Sequence, residues 1–464
     1  MKKHIITLCA AGLCAGSLAA CNDFDNPAIP YDEAPEAPEA LTPPTIDPSW
    51  NLQLMPDEGG QDPHVFVYKD KRYDALFTRT LGWNGGDGVL TTALPDGNVF
   101  WSFNDSFYGV VDGETRARGA CSFPRNSLMI QKGATIASGT ETDDDLVWLA
   151  DYVQTTDPSA DRYYQARTHI RHPKASLSDE EIEKGEIDQD FCYWAGDAVV
   201  YDDPARGKIL QMLWTGVEPG ALKNIDGCLR EYSLDGEPGD DTYMSVLSTD
   251  YDFKADGLGY GSTMFEDTKE GHIYLYTTKQ EGLVSRVLVA RTETLDLGSP
   301  WSYYIRDLSG DYQWQSTVPT DEEMERSYIT AESGSMPWVF EKDGTYYMCM
   351  EGFPFGRDIY IYRSEKPYGP FTDRTLLFTL DKLGNPYPQR WYMINLHPAL
   401  SRQGELVFST NSDPNNFWDN FNRVGSADFY RPFFFRVYNW EHVYDTDTED
   451  DGQTQPDTET EGAE

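Results

Sequence analysis

A hairpin-shaped segment recurs five times along the chain, and this repeat limits the folds that are open to it. Each copy reads as a strand, a glycine-containing turn and a second strand, and each is followed by a further strand-like run. The hairpins cover residues 86–105, 196–214, 261–279, 334–351 and 396–411, and the following runs cover 126–131, 229–233, 286–291, 358–363 and 433–438.

Two inner strands with outer strands in every copy are the make-up of a propeller blade. The sequence therefore predicts an all-β fold, a five-bladed β-propeller with long loop insertions over residues 49–444. A β-sandwich with irregular strands is the alternative, but it does not predict five aligned turns. Two polar insertions, 132–190 and 292–330, interrupt the period and are expected to form loops or short helices.

The N-terminal segment has the parts of a lipoprotein signal peptide, with a short basic start and an apolar stretch that leads into Leu18-Ala19-Ala20-Cys21. This ending resembles a bacterial lipobox, which implies removal of residues 1–20 and acylation of Cys21. An ordinary signal peptide that happens to precede a cysteine is the alternative. The lipobox predicts a membrane-anchored lipoprotein of the outer membrane, facing the periplasm or the cell surface.

The segments that flank the predicted propeller have the composition of unstructured chain. Residues 21–48 are rich in proline and acidic residues and are expected to form a flexible tether, and residues 445–464 an acidic, disordered tail. No stretch of 18 apolar residues follows the signal segment, so contact with a membrane is expected through the lipid anchor only.

The chain is strongly acidic, with a formal net charge of −41. Such a charge repels nucleic acid and anionic lipid head groups, so we expect no nucleic-acid partner and favour a neutral polysaccharide or oligosaccharide. No cofactor or metal site is predicted, and a calcium site cannot be recognised from these residues. Outside the signal and the lipobox, the cysteines match no zinc pattern, and one disulfide or buried thiols are equally compatible with Cys121, Cys192, Cys228 and Cys349.

The first hairpin contains the candidate catalytic pair. If Asp96-Gly97 forms a two-residue turn, Asp105 lies opposite Gly88 and diagonal to Asp87, so both carboxylates occupy one open end of the hairpin. Two neighbouring carboxyl groups are what glycosidic bond cleavage needs, one as proton donor and one ionised. The structural alternatives are a turn-capping Asp87 and an Asp105 that pairs with Arg125.

Alignment of the copies indicates further residues at the same end of the fold. It places Glu351 beside Ser335 and Met336, and Asn411 beside Leu396 and His397. Aromatic faces there would suit sugar rings, although core packing explains any single tryptophan equally well. Trp194 is expected near this end as well. The candidate substrate-binding residues are Trp83, Asn84, Arg125, Asp197, Trp214, Glu332, Glu351, Trp391, His397 and Asn411.

Short motifs around the first hairpin resemble a known family. Gly85-Gly86-Asp87-Gly88, Phe103 to Phe107 and Arg125-Asn126-Ser127 resemble the domain of unknown function 5005 proteins. They are also similar, more distantly, to the five-bladed endo-D-arabinanases of glycoside hydrolase family 183. That resemblance implies a catalytic pair at Asp87 and Asp105, although Asn104-Asp105-Ser106-Phe107 here replaces the Gly-Asp-Thr-Phe of that family.

These observations together predict a lipid-anchored glycoside hydrolase that acts on a polysaccharide, with an arabinan or another furanoside as the expected substrate. A surface glycan-binding propeller without catalysis is the alternative from another class. A propeller scaffold for a partner protein is a third, and it would require a broad apolar surface patch.

Overall fold

A computed structural model describes residues 43–448, apart from 57–59, 151, 154–164, 185, 255–256, 282–283, 332–333, 353–354 and 383–388. The predicted signal, the lipobox cysteine Cys21 and Glu332 lie outside the described residues, as do the tether up to residue 42 and the tail beyond residue 448. Among the described helices, none has the length and apolar character needed to cross a membrane.

The described chain consists mainly of β-strands, which confirms the all-β prediction. The three α-helices are short: α1 (Lys71–Leu76), α2 (Asp179–Glu183) and α3 (Asp321–Met324). The strands are β1 (Leu52–Leu54), β2 (Phe66–Asp70), β3 (Leu81–Gly86), β4 (Leu90–Ala93), β5 (Val99–Phe103), β6 (Ser106–Val111), β7 (Arg118–Ser122), β8 (Ser127–Gln131), β9 (Leu146–Trp148), β10 (Tyr152–Val153), β11 (Gln165–Ala166), β12 (Cys192–Asp203), β13 (Gly207–Glu218), β14 (Lys223–Ser233), β15 (Val246–Asp250), β16 (Thr263–Asp267), β17 (His272–Glu281), β18 (Val284–Thr292), β19 (Trp301–Arg306), β20 (Tyr312–Gln315), β21 (Ser335–Lys342), β22 (Thr345–Glu351), β23 (Asp358–Ser364), β24 (Thr372–Thr379), β25 (Gln389–Leu396), β26 (Leu406–Pro414) and β27 (Pro432–Tyr438).

Four of the five predicted hairpins form two paired strands where the sequence places them. In the fifth, residues 398–400 form a turn of 3₁₀ helix instead of a strand, and β25, which pairs with β26, lies before the predicted hairpin apart from Leu396. In every case the run after the hairpin supplies the third strand of the same sheet. The sheets have the strand orders β4-β5-β8-β9, β12-β13-β14-β15, β16-β17-β18-β19-β20, β21-β22-β23-β24 and β1-β2-β27-β26-β25. Two smaller sheets, β3-β6-β7 and β10-β11, accompany them. Because of these additional sheets, the number of sheets does not by itself confirm five blades.

The first strands of the larger hairpins contact one another in chain order. β4 contacts β12, β12 contacts β16, β16 contacts β21, and β21 contacts β25. The turn of 3₁₀ helix after β25 (Pro398–Leu400) contacts β4, which closes the series. A closed series of sheets joined through their first strands is the architecture of a β-propeller.

Side chains reinforce several of these contacts between neighbouring sheets. The Thr92 hydroxyl donates to the Ala198 carbonyl at 3.2 Å, and the Met264 amide donates to the Asp197 carboxylate at 2.9 Å. Further along, the Trp338 indole donates to the Ile394 carbonyl at 3.1 Å. Buried polar groups of the inner strands therefore find their partners on the next sheet, which sets the relative position of the two sheets.

The N-terminal and C-terminal parts of the chain meet in one sheet. β2 pairs with β27, with Phe66 opposite Tyr438 and Tyr68 opposite Arg436. The fully buried Arg436 guanidinium binds the Asp70 carboxylate at 2.6 Å and the Glu405 carboxylate at 2.5 Å. These two ion pairs lie in the sheet in which β1 and β2, the first strands of the chain, pair with β25 to β27, the last three.

The second insertion differs from the expected loop. Residues 292–330 contain β19 and β20, which extend the third large sheet. Trp301, Tyr303 and Ile305 are buried and alternate with partly exposed neighbours, which is the period of a half-buried strand. In the first insertion, β9 is the fourth strand of its sheet, so each insertion contributes to the propeller.

Removal of the Arg436 charge should destabilise the protein strongly. In Arg436→Met, the buried carboxylates of Asp70 and Glu405 would lose their closest cation, and only the more distant Arg402, 3.8 Å from Asp70, would remain. Breaking a buried pair in this way costs about 3–5 kcal/mol. Urea denaturation would measure this loss. The control is Lys184→Met in the exposed pair with Glu180, where the cost should stay below about 1 kcal/mol. Equal stability losses in the two variants would contradict the importance of this closure.

Candidate active site

The first hairpin places Asp87 and Asp105 side by side, in a register one residue away from the prediction. Leu90 pairs with Ser102, and the Leu94 amide donates to the Asn98 carbonyl, so three residues rather than two form the turn. This shift brings Asp105 opposite Asp87 instead of Gly88. The Asp87 amide donates to the Asp105 carbonyl at 3.3 Å.

Gly88 allows the chain to pass this point. Its φ is +59°, and a Cβ atom there would lie 2.2 Å from the Asn104 side-chain nitrogen. The backbone amide of Asn104 donates to the Asp87 carbonyl at 2.8 Å. The Asn104 side-chain oxygen accepts from the backbone amide of Ala195 at 2.6 Å. Asn104 therefore holds the end of the hairpin against the next sheet, and only glycine leaves room for it.

Two tyrosines hold the Asp87 carboxyl group: Tyr392 from β25, and Tyr430 from the loop before β27. The hydroxyls of Tyr392 and Tyr430 donate to its Oδ2 at 2.8 and 2.9 Å. Its Oδ1 is buried and has no hydrogen-bond partner among the described residues. Burial raises the pKa of Asp87 above its ordinary value, and the neighbouring Asp105 carboxylate raises it further, while the two phenols act in the opposite direction.

Asp105 differs from Asp87 because a cation lies beside it. Arg125 Nε is 3.3 Å from Asp105 Oδ1. Burial raises the pKa of Asp105 too, but Arg125 opposes this rise, and so does the indole N–H of Trp194. The two carboxyl groups interact, so their titrations are linked, and the arginine favours the charged form of Asp105.

A cleft of about 800 Å³ opens on Asp105 and Arg125. Asp87 is outside the set of residues that line it, but Tyr430 both lines the cleft and donates to Asp87. The lining residues are Asp105, Phe107, Cys121, Phe123, Arg125, Glu186, Ile187, Gln189, Trp194, Pro219, Gly220, Leu222, Phe417, Trp418, Phe421 and Tyr430.

One wall of the cleft is aromatic, and the sequence interpretation missed it. Phe107 and Phe123 lie with ring centroids 4.8 Å apart, and Phe417 is 5.6 Å from Phe123. Trp418 follows with 72% of its surface exposed. The run from Phe417 to Phe421 carries three aromatic residues and could have served as a signal, but it lies outside the hairpin repeat on which the prediction rested.

Two of the predicted substrate-binding residues, Asn411 and Asn84, bind protein groups close to Asp87 and do not line the cleft. Asn411 donates from its side-chain amide to the Gly86 carbonyl at 2.6 Å. Asn84 is fully buried and accepts from Arg118 Nε at 2.8 Å. Arg125 is the predicted binding residue that does line the cleft.

The tryptophans predicted at the mouth are mostly core residues, and that prediction is corrected. Trp83 is 1% exposed and stacks on Trp148, Trp214 is 1% exposed, and Trp391 is 3% exposed with its indole bound to the Asp381 carbonyl. Buried rings of this kind cannot present a face to a sugar. Of the tryptophans named from the sequence, Trp194 alone lines the cleft.

The remaining predicted residues lie buried between strands. Asp197 binds the backbone of the next sheet, and burial raises its pKa to about 7. His397 lies between Thr91 and Ser409, and burial lowers its pKa to about 3. Neither side chain faces the cleft.

The predicted pairings in the later hairpins differ in outcome. Glu351 pairs with Ser335 as predicted, and the Ser335 hydroxyl donates to it at 2.5 Å. Asn411 pairs with Tyr392, not with the predicted Leu396 and His397. The connection between β25 and β26 contains the 3₁₀ turn Pro398–Leu400 and is longer than predicted, so Leu396 pairs with Phe408, and an irregularity between Tyr392 and Asn395 adds a further shift of one residue. No disulfide joins the four cysteines of the described residues: Cys192, Cys228 and Cys349 are buried, and Cys121 is partly buried.

A comparison with known protein families matches a range that includes both aspartates. The family model described as "Domain of unknown function (DUF5005)" matches residues 70–440. This range contains the hairpin that carries Asp87 and Asp105 and most of the β-structure. The chain belongs to the DUF5005 family. The resemblance of the short motifs to the domain of unknown function 5005 proteins is thereby confirmed.

A solved structure resembles this DUF5005 protein over almost its full length. It is that of a "putative hydrolase" from Bacteroides ovatus ATCC 8483, with 56% identity and a TM-score of 0.81, and the match covers 88% of this chain and 99% of the other. No relative of the chain is found among curated proteins.

Weaker structural likenesses extend to glycoside hydrolases. The GH43 protein BlXynB from Bacillus licheniformis is 13% identical with a TM-score of 0.37, over 75% of this chain and 51% of the other. An α-L-arabinofuranosidase from Lactobacillus brevis is 9% identical with a TM-score of 0.38, over 76% of this chain and 90% of the other. Likenesses this low do not indicate what this DUF5005 protein acts on.

Glu351 should make the stability of this DUF5005 protein depend on pH. Burial raises its pKa from 4.5 to about 7, so the folded state keeps a proton that the unfolded state releases. Stability should therefore fall as pH rises from about 4.5 to 7, by on the order of 3 kcal/mol. In Glu351→Gln this contribution should disappear, which urea denaturation at pH 5 and pH 8 would reveal. A variant with the same pH dependence as the wild type would contradict the assignment.

Proposed function

We propose that this DUF5005 protein is a glycoside hydrolase that cleaves a polysaccharide with Asp87 and Asp105. One observation carries the proposal: two interacting carboxyl groups share one end of a hairpin, and within the described part of the chain only Asp105 has a cation beside it. Environments that separate two neighbouring carboxyl groups into a protonated and an ionised member are what acid–base cleavage of a glycosidic bond requires.

The surroundings favour different roles for the two aspartates. Asp105 lies 3.3 Å from Arg125 and lines the cleft, so we assign it the ionised role, as nucleophile or as base toward water. Among the described residues, Asp87 pairs with no such cation, and its pKa is raised by burial and by Asp105. We assign Asp87 the proton that is given to the leaving oxygen. It does not line the cleft itself but is partly exposed and bonded to Tyr430, which does, so this role requires the substrate to reach past Tyr430. Tyr392 and Tyr430 would orient the Asp87 carboxyl group through Oδ2.

The cleft supports a neutral sugar chain as substrate. Its aromatic wall provides faces for sugar rings, and the acidic chain as a whole disfavours anionic polymers. The distant resemblance to endo-D-arabinanases points to a furanoside, an arabinan among them. The substrate class therefore rests on the cleft chemistry, and the sugar on the resemblance alone.

The same proposal includes a five-bladed propeller. Five sheets of four or five strands, each begun by one hairpin of the repeat, support this count. The sheets β3-β6-β7 and β10-β11 would then be additions to the ring rather than blades.

We further propose that the protein is a lipoprotein anchored through Cys21, in the outer membrane and facing the periplasm or the cell surface. The basic start, the apolar stretch and Leu18-Ala19-Ala20-Cys21 support this location. An anchored hydrolase would meet polysaccharides outside the cytoplasm.

A glycan-binding protein without catalysis is the second candidate. The strong exposure of Trp418 beside the cleft favours it, because an exposed tryptophan can hold a sugar ring without any carboxylate. The two functions differ in whether Asp87 and Asp105 are needed for more than binding.

Asp87→Asn and Asp105→Asn should each lower hydrolysis of a polysaccharide panel by at least about 10²- to 10⁴-fold, because asparagine cannot donate or accept the catalytic proton. Reducing-end release would measure this, with arabinans and other neutral polysaccharides in the panel. Asp96→Asn, at the opposite end of the same hairpin, is the matched control and should keep wild-type activity. Activity within a few-fold of wild type in either active-site variant would contradict the pair.

Glycan binding provides the companion measurement. Both aspartate variants should still bind, whereas Trp418→Ala should weaken binding roughly 2- to 10-fold and Trp418→Phe should restore most of it. Wild-type binding without hydrolysis of any polysaccharide in the panel would support the glycan-binding candidate instead.

The anchor is tested separately. Cys21→Ser should yield a protein that is not acylated and is released from the membrane fraction, because no thiol remains for the lipid. Fractionation and intact mass measure this outcome, and we expect more than one acyl chain on the wild type, since a single chain binds a bilayer only marginally. A variant that stays membrane-bound with an unchanged lipid mass would contradict the assignment.

A further inference from the structure

Three potential metal ligands meet beside the closure of the ring. Asp62 and His64 precede β2, and His442 lies in the 3₁₀ helix (Trp440–Thr448) that follows β27. Each offers one ligand atom, and these atoms all lie within 4.8 Å of one another. Residues almost 380 positions apart in the sequence are therefore brought together by the pairing of β2 with β27.

The three side chains of this group are in close contact. The Asp62 carboxylate accepts from the His64 amide at 2.8 Å and lies 2.9 Å from His64 Nδ1. The His64 and His442 rings have centroids 4.4 Å apart. His64 is buried, while Asp62 and His442 are partly exposed, so an ion from solvent could reach the group.

We propose that Asp62, His64 and His442 form a binding site for a divalent transition-metal ion such as zinc. The inference does not depend on the proposed hydrolase activity. It assigns a ligand to residues that the candidate active site does not use.

The ligand types determine the class of ion. Two imidazoles and one carboxylate suit zinc, copper or nickel, whereas calcium and magnesium prefer oxygen ligands alone. At zinc bond lengths of about 2.0–2.2 Å, tetrahedral ligands lie roughly 3–3.5 Å apart, so modest side-chain movement from the present spacing is sufficient. Water would complete the coordination.

The position of the site gives the ion a structural effect. It would join the segment between β1 and β2 to the segment after β27, in the sheet where the two ends of the described chain pair. An ion that binds only the folded state raises its stability by mass action, so the closure of the ring should become more resistant to heat.

The test uses full-length mature protein without a histidine tag, after treatment with EDTA and dialysis. Isothermal titration with zinc chloride should show one equivalent bound, and thermal unfolding should shift upward with zinc. His64→Ala and His442→Ala should each lose the binding and the shift. His272→Ala, whose ring instead bonds the Thr292 carbonyl, is the matched control and should retain both.

A second measurement separates metal binding from altered folding. Cobalt should give a visible absorption spectrum with the wild type and with Asp105→Asn, but not with His442→Ala, whose far-UV circular dichroism should match the wild type. Absence of zinc binding by the wild type would overturn the proposal. Unchanged binding in both His64→Ala and His442→Ala would overturn it as well. Because Asp105→Asn keeps the metal site, loss of hydrolysis and loss of metal are distinguishable.

Discussion

The pairing of β2 with β27 is the constraint on which the rest of the structure depends. It joins residues from the two ends of the described chain in one sheet, and Arg436 with Asp70 and Glu405 fills the buried polar space beside it. Sheets that contact only their neighbours become a closed ring through this pairing. In an open row of blades, the two end blades would each leave one face uncovered. Closing the ring buries these two faces against each other.

Closure also assembles the candidate active site. Asp87 belongs to the first hairpin, whereas Tyr392 and Tyr430, which hold its carboxyl group, come from the last sheet and the loop before β27. The Gly86 amide donates to the Tyr430 carbonyl at 2.7 Å, and Asn411 binds the Gly86 carbonyl. The catalytic proposal and the metal proposal therefore depend on the same junction between the first and last parts of the chain.

Sequence reasoning succeeded where the physics is local. Strand periodicity and glycine turns located four of the five hairpins and the third strand of each large sheet. The first hairpin brought Asp87 and Asp105 to one end despite a register error of one residue. Sequence reasoning failed where the length of a turn mattered. A three-residue turn in the first hairpin and the 3₁₀ turn Pro398–Leu400 in the fifth change which residues face each other, and neither has a clear sequence signal.

The sequence by itself determined the β-rich class, the repeat, the family and the proximity of two aspartates, because these follow from neighbours along one chain segment. Only the tertiary structure decided which groups surround them. The burial of Trp83, Trp214 and Trp391 and the exposure of Trp418 depend on how separate sheets pack. The sequence offered the pair of Arg125 with Asp105 only as an alternative, and the structure forms it, with no such partner for Asp87 among the described residues. A carboxyl group's protonation follows from that packing, since desolvation and neighbouring charge are properties of the folded surroundings.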